Sequence, residues 1–505
     1  MRKPNAPTDV GDALRSRESC AQNSGEGAIK QAEYGVRIEE RLDRKVVMNR
    51  AEEQFRIERD PLGEARVPAD ALYGIQTKRA LDNFRISRLR VNPALITAFA
   101  EIKKAAAEAN METGAITREI GEAISRAADE FISGRHNDQF KLDVFQAGAG
   151  TSYNMNVNEA VANRALELLG SRRGDYSRLH PNDHVNKSQS TNDAMPTAMR
   201  ISCLRMLGEL VPALDQLARS LREKADEFRE VKKSGRTHLH DAMPMTLGDE
   251  FGGYAGNIER ATDRLRVAGA PLLEVPLGGT AVGGGHNAHP DYARLAVKRL
   301  GEITGLRLTE ACNRFQSTQS LGDFVALSGA LRGLAVEMGK IANDLRLLNS
   351  GPRTGLAEIE LPAVQPGSSI MPGKINPSVP EMVNMVCFHV IGHDVAIAMC
   401  GEAGQLELNV MMPYVAYALL ESLEIMIRAA KTFDKKCVRG LIADRERCRW
   451  YAENTVGLAT LYSEELGFMG AAELADRAIH SGRSIQELLE EEARKGGRRT
   501  KAKGT

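Results

Sequence analysis

Apolar positions along this chain recur at helical spacing over stretches far longer than an ordinary helix. The clearest run covers 196–228. There Ile201, Leu204, Leu207, Val211, Leu214, Leu217, Leu221, Ala225 and Phe228 fall three or four residues apart. Asn192 or Asp193 is placed to cap its start, and Pro196 suits a first turn. At about 1.5 Å per residue the helix would run roughly 50 Å, a length that suits a bundle. A second long helix is predicted over 321–349, ended by Gly351-Pro352. A third helical region, 379–433, is apolar on nearly every face. It is expected to be buried on all sides, with bends at Gly401, Gly404 and Pro413. One chain does not easily supply so many neighbours, so the pattern predicts an oligomer joined through a helix bundle.

The flanking regions read differently. Residues 1–54 are polar and lack sustained periodicity, which predicts a disordered extension, with Met48 as an alternative start. Residues 55–84 carry Pro, Gly and short apolar runs, as loops and small strands do. The expected organisation is mainly α. After the extension at 1–54 come an N-terminal domain (55–190), a central long-helix bundle (191–445) and a small C-terminal domain of short amphipathic pieces (446–505).

Composition narrows the function classes. The chain has 505 residues, 42% apolar and 27% charged, enough to bury a large core without disulfides. Its 67 basic and 67 acidic residues cancel, which gives no electrostatic reason to expect nucleic acid or an anionic membrane as partner. The seven cysteines are scattered and form no CxxC pair, which points to reduced thiols and a cytoplasmic location. No run of 18 uninterrupted apolar residues occurs, so no membrane span is expected.

Four segments interrupt the helical pattern, and all are rich in hydroxyls, amides and glycine. Residues 146–158 read QAGAGTSYNMNVN, 180–196 read HPNDHVNKSQSTNDAMP, 235–244 read GRTHLHDAMP and 366–377 read PGSSIMPGKINP. Any one alone reads as a turn or a helix cap. Together, their hydroxyl and amide donors with Arg236 and Lys374 make a kit for holding carboxylates without a metal. Ser190, Thr191 and Asn192 stand just before a long helix, whose N-terminal amides add to an anion site. The glycines of 367–373 would let a loop close over a ligand. Other chemistries fit poorly. No GxGxxG lies in a strand-turn-helix unit, and Gly373-Lys374 is followed by Ile375 rather than Ser or Thr. His238 and His240 lack the partners of a zinc motif. From chemistry alone the general base would be His238, whose pKa suits the task.

The stretch GSSIMPGKIN at 367–376 fits the pattern GSxxMxxKxN, in which four defined residues follow the initial glycine. It resembles the signature of the aspartase/fumarase superfamily, and the other three segments resemble that family's remaining characteristic regions in the expected order. The likeness runs from about Phe55 to Ile485. VPADALYGIQT at 67–77, GAGTS at 148–152, Ser190-Thr191-Asn192, NPSVPEMVNMVC at 376–387 and GEAGQLELNV at 401–410 resemble the aspartase branch more than the fumarases. His240, Gly284 and Met412 depart from residues usual in that branch.

The resemblance implies a homotetramer whose active sites combine segments of three subunits, acting on a small dicarboxylate with no cofactor. It implies reversible release of ammonia from L-aspartate to give fumarate. The alternatives are release of water from malate, release of another group from a substituted succinate, or a non-catalytic relative. The intermediate would be an enediolate on one carboxylate, held by donors aimed at it. By resemblance, Thr151, Ser190, Thr191 and Ser369 donate to this carboxylate. Thr237, Lys374 and Asn376 hold the other, and Asn192 and His238 lie near the amino group. The family gives the role of base to the serine at Ser368 rather than to a histidine. Backbone amides of the glycine loop and the Lys374 charge would have to stabilise its anion.

Overall fold

The computed structural model describes residues 55–496. The expected extension at 1–54 and Met48 lie outside the described residues. The chain divides into two compact units. The first is 1–56 with 68–70; in its described part an Arg56 Nη1 donates to the Pro68 carbonyl (2.9 Å). The second, 57–67 with 71–505, holds the helices.

Two short strands, β1 (Phe55–Asp60) and β2 (Gly63–Pro68), open the described chain. Helices α1 (Ile75–Asn83), α2 (Pro93–Glu112), α3 (Arg118–Ile132) and α4 (Thr151–Leu168) follow. Helix α1 falls where loops and strands were expected. The 37-residue α5 (Thr191–Glu227) leads into a hairpin of β3 (Lys232–Thr237) and β4 (His240–Thr246). Beyond it come α6 (Leu247–Gly269), α7 (Tyr292–Thr304), the short α8 (Arg314–Gln319) and α9 (Gly322–Leu348). Next are α10 (Ser378–Glu402), α11 (Met412–Phe433), α12 (Arg445–Asn454), α13 (Ser463–Ser481) and α14 (Ile485–Gly496). Helices α5, α6, α9, α10 and α11 pack together as the central bundle.

The long helix matches its periodicity: Ile201, Leu207, Leu214, Leu217 and Leu221 are all buried. Its start differs from the expectation. Ser190 is the cap, and its hydroxyl accepts from the Asn192 amide (3.2 Å). Asp193 returns the bond as the third helical residue, accepting from the Ser190 amide (2.9 Å). Neither Asn192 nor Asp193 is therefore the cap. Pro196 sits in the second turn, where its missing N–H leaves the Asn192 carbonyl without its usual intrahelical donor.

The region 379–433 forms two helices, α10 and α11, separated at 403–411. It is not buried on all sides in a single chain. Met385, Phe388, Val395 and Met399 form a stripe along α10, each 58–68% exposed. Helices α9 and α11 cover the other flanks of α10, and nothing among the described residues covers this one. By length and composition α10 could cross a membrane, and a third of its apolar window is buried. In this fold it packs within the bundle. At the C-terminal end, Ala459, Leu474, Ala478, Ile485 and Leu488 make a small apolar cluster of their own.

Candidate active site

The donor-rich segments collect at the two ends of the bundle. At one end, α4 and α5 begin side by side. Gly150 precedes α4 in the left-handed region (φ +81°), and a Cβ there would stand 2.7 Å from the Met195 sulfur of α5. Only glycine allows so close an approach. Asn154 then donates through Nδ2 to the Thr191 hydroxyl (3.1 Å), tying the two helix starts together. Thr151 is exposed at the first position of α4, and Ser190, Thr191 and Asn192 are half-buried. Two helix N-termini and the hydroxyls of Thr151, Ser190 and Thr191 therefore gather in one region, a favourable setting for a carboxylate. Asn192 donates through Nδ2 to the Ala281 carbonyl (2.8 Å), so its amide nitrogen is already committed to the loop that follows β5 (Glu274–Val275).

A buried polar layer supports this end, and sequence reasoning missed it. Lys103 of α2 is fully buried and donates to Asn154 Oδ1 (2.8 Å), Asn186 Oδ1 (3.0 Å) and Gln189 Oε1 (2.9 Å). Burial pushes its ammonium down to about 7, opposed by the Asp193 charge. Asp193 is equally buried and accepts from the amides of Ser190, Gly278 and Thr280 (2.9–3.0 Å). Burial raises its carboxyl to about 6 against those bonds. The visible signal was a lysine on the inward face of an alanine-rich helix, where a charge is costly unless it is bonded.

At the other end lies the β3–β4 hairpin. His238 and Leu239 form its two-residue tip, both with positive φ (56° and 61°), between the paired Thr237 and His240. Thr237, His238 and His240 are exposed. The hairpin is anchored by Glu358, which is wholly buried and pairs with Lys233 (2.7 Å) and Arg236 (2.8 Å). A Glu358→Ala variant takes a buried partner from Arg236 and leaves Lys233 only Glu250 (2.6 Å), and is expected to lose about 3 kcal/mol of stability, read by denaturant unfolding.

The fourth segment leaves from the same end, because α10 runs antiparallel to α9. Arg346 bonds Asn384 (3.1 Å) near one end of the pair, and Ser328 bonds Asp394 (2.7 Å) farther along. Its loop is closed on itself. The Gly367 amide donates to the Lys374 carbonyl (2.8 Å), and Asn376 Nδ2 donates to the Gly367 carbonyl (2.7 Å). A Cβ on Gly367 would come within 2.6 Å of both Asn376 N and Lys374 O. The Asn376 amide nitrogen therefore staples the loop. Ser368 Oγ accepts from the amides of Ile370 (3.2 Å) and Met371 (2.9 Å). Two N–H donors on one hydroxyl oxygen make an ordinary serine turn, and they are also the donors an alkoxide would need. Ser369 and Lys374 are exposed. The loop lines an open cleft of about 580 Å³, with Ser368, Met371 and Lys374 on its wall.

One chain does not bring the four segments together. Thr191 opens α5 and Thr237 lies beyond its C-terminal end, with the whole helix, about 55 Å at about 1.5 Å per residue, between Thr191 and the hairpin. Val410, between α10 and α11, contacts the first end through its carbonyl and the Ala149 amide (2.8 Å). Ser368 lies before the start of α10, toward the opposite end. Of the departures noted in the sequence, Met412 is fully buried beneath the start of α11 and His240 sits exposed on the hairpin.

A long-helix bundle whose ends carry hydroxyl, amide and ammonium donors is the framework of an enzyme that handles carboxylate anions. A family model described as "Lyase" matches residues 63–392, and the chain belongs to that family. It has the aspartase/fumarase-type fold expected from its motifs. Among similar proteins are the aspartate ammonia-lyases of a Bacillus species (48% identical, 86% of this chain and 92% of that protein) and of Escherichia coli K12 (46%, 86% and 92%). Among solved structures, a fumarate lyase:delta crystallin from Brucella melitensis bound to cobalt aligns with a TM-score of 0.84. It is 48% identical over 87% of this chain and 96% of that one. A class II fumarase from Schistosoma mansoni also aligns at 0.84, with 36% identity over 87% and 95%.

Proposed function

We propose that this protein is an aspartate ammonia-lyase, converting L-aspartate reversibly to fumarate and ammonia. The observation that carries this reading is its 46–48% identity to aspartate ammonia-lyases across 92–93% of their length, a span that includes all four donor segments. In this reading Ser368, as its alkoxide, removes a proton from the carbon beside one carboxylate. The C–H electron pair becomes an enediolate on that carboxylate, bound by Thr151, Ser190, Thr191 and Ser369. Thr237, Lys374 and Asn376 hold the second carboxylate, with Lys374 supplying a charge-assisted bond. The enediolate then collapses, the C–N pair leaves with the nitrogen as ammonia near Asn192 and His238, and the proton on Ser368 passes to solvent.

The working form is a cytoplasmic homotetramer with no nucleic-acid or membrane partner. The exposed stripe of Met385, Phe388, Val395 and Met399 supports assembly through α10. The separation of Thr191 from Thr237 supports sites built by several subunits.

The test is ultraviolet absorbance of fumarate with purified protein and either L-aspartate or L-malate. Fumarate from aspartate alone is expected. Fumarate from malate alone would overturn the reading in favour of a hydratase. Silence with both would point to another substituted succinate or to a non-catalytic relative.

A further inference from the structure

We propose that His389, His393 and Glu421 form a binding site for a divalent cation of the zinc or cobalt class, midway along the α10–α11 pair and apart from the lyase segments. The two histidines lie one helical turn apart on α10, with ring centroids 4.2 Å from each other, and Glu421 faces them from α11. One ligand atom from each lies within 4.8 Å of the others.

The distances suit a shared cation better than direct bonding. Glu421 Oε2 stands 3.3 Å from His389 Nε2 and 3.6 Å from His393 Nε2. A charge-assisted N–H···O bond is shorter, about 2.7–2.9 Å. Two ligands of a tetrahedral ion at about 2.0–2.1 Å lie about 3.3 Å apart.

The tautomer of His393 argues the same way. Its Nδ1 faces the Ala418 carbonyl (3.1 Å) and Ser422 Oγ (3.2 Å). The Ser422 hydrogen is already given to the Ala418 carbonyl (2.6 Å). Both neighbours therefore act as acceptors, and Nδ1 carries the proton. A neutral His393 then points the lone pair of Nε2 at a carboxylate, an arrangement that calls for a cation between them. Two imidazoles and one carboxylate leave a fourth position open, the donor set that zinc and cobalt accept.

The test uses the untagged full chain, stripped with a chelator and kept reduced because Cys312 is exposed. Zn²⁺ is titrated by calorimetry, and Co²⁺ is followed by its visible d–d bands. One saturable ion per chain is expected. His389→Gln, His393→Gln and Glu421→Gln should each weaken binding at least about tenfold, since changes one shell further out already cost 10–100-fold. Three independent variants keep the test usable if one of them misfolds, which circular dichroism would reveal. No saturable binding by the wild-type chain would overturn the proposal. Unchanged affinity in the His389→Gln/His393→Gln double variant would do so too.

Discussion

Ser368→Ala is expected to fold normally and to lose about 10²–10⁴ in kcat, the usual contribution of a positioned proton-transfer group. That loss corresponds to about 3–5 kcal/mol in the barrier. Folding should survive because Ser368 sits on a loop outside the core, and its hydroxyl accepts only the amides of Ile370 and Met371. The KM for aspartate should change little, since the proposed role of Ser368 is in the transition state. Lys374→Met should behave differently. It removes a charge proposed to hold the carboxylate before and during reaction, so KM should rise along with any fall in kcat. The competing base is His238, exposed at the hairpin tip. If His238 were the base, Ser368→Ala would keep near-full turnover and His238→Ala would flatten the acid limb of the pH profile. That result would refute the serine assignment. Measuring kcat, KM and the pH profile for all three variants separates the roles.

The sequence showed the long helices because their apolar faces repeat over many turns, and Leu214, Leu217 and Leu221 are buried as their spacing required. It misplaced the start of α5. Ser190, Asn192 and Asp193 are all good cap residues by type, and only the backbone geometry decides among them. Lys103 was overlooked for a different reason. A lysine in a helical pattern defaults to solvent, and its acceptors Asn154, Asn186 and Gln189 lie some 50 to 90 residues away in sequence. The donor segments were legible as chemistry because hydroxyls, amides and glycines cluster where the apolar period fails. Their distribution between two ends was not legible, because it depends on α10 running back along α9. The exposed stripe on α10 had a sequence signal, an apolar helix with no polar face. The inference that it is buried holds only for an assembly, which one chain does not supply.

Mixing two inactive variants is expected to restore activity. Thr191→Val damages the end of the bundle where α4 and α5 begin, and Ser368→Ala damages the loop before α10. In one chain these residues lie toward opposite ends of helices tens of ångströms long, so a site that uses both would draw them from different chains. If each site takes Thr191 from one subunit and Ser368 from another, a randomly assembled 1:1 mixture contains sites with both residues intact. Their share is about one quarter, the product of two independent halves. Each variant alone should be nearly silent. Co-expression with two affinity tags, followed by sequential purification, isolates the mixed oligomers, and fumarate absorbance reads the recovery. Recovery near a quarter of wild-type activity would support sites shared across subunits. Activity no greater than the weighted sum of the two parents would mean that Thr191 and Ser368 act in the same chain or not at all. Size-exclusion with light scattering on the same fractions fixes the subunit number. A monomer that retained activity would overturn the shared-site reading outright.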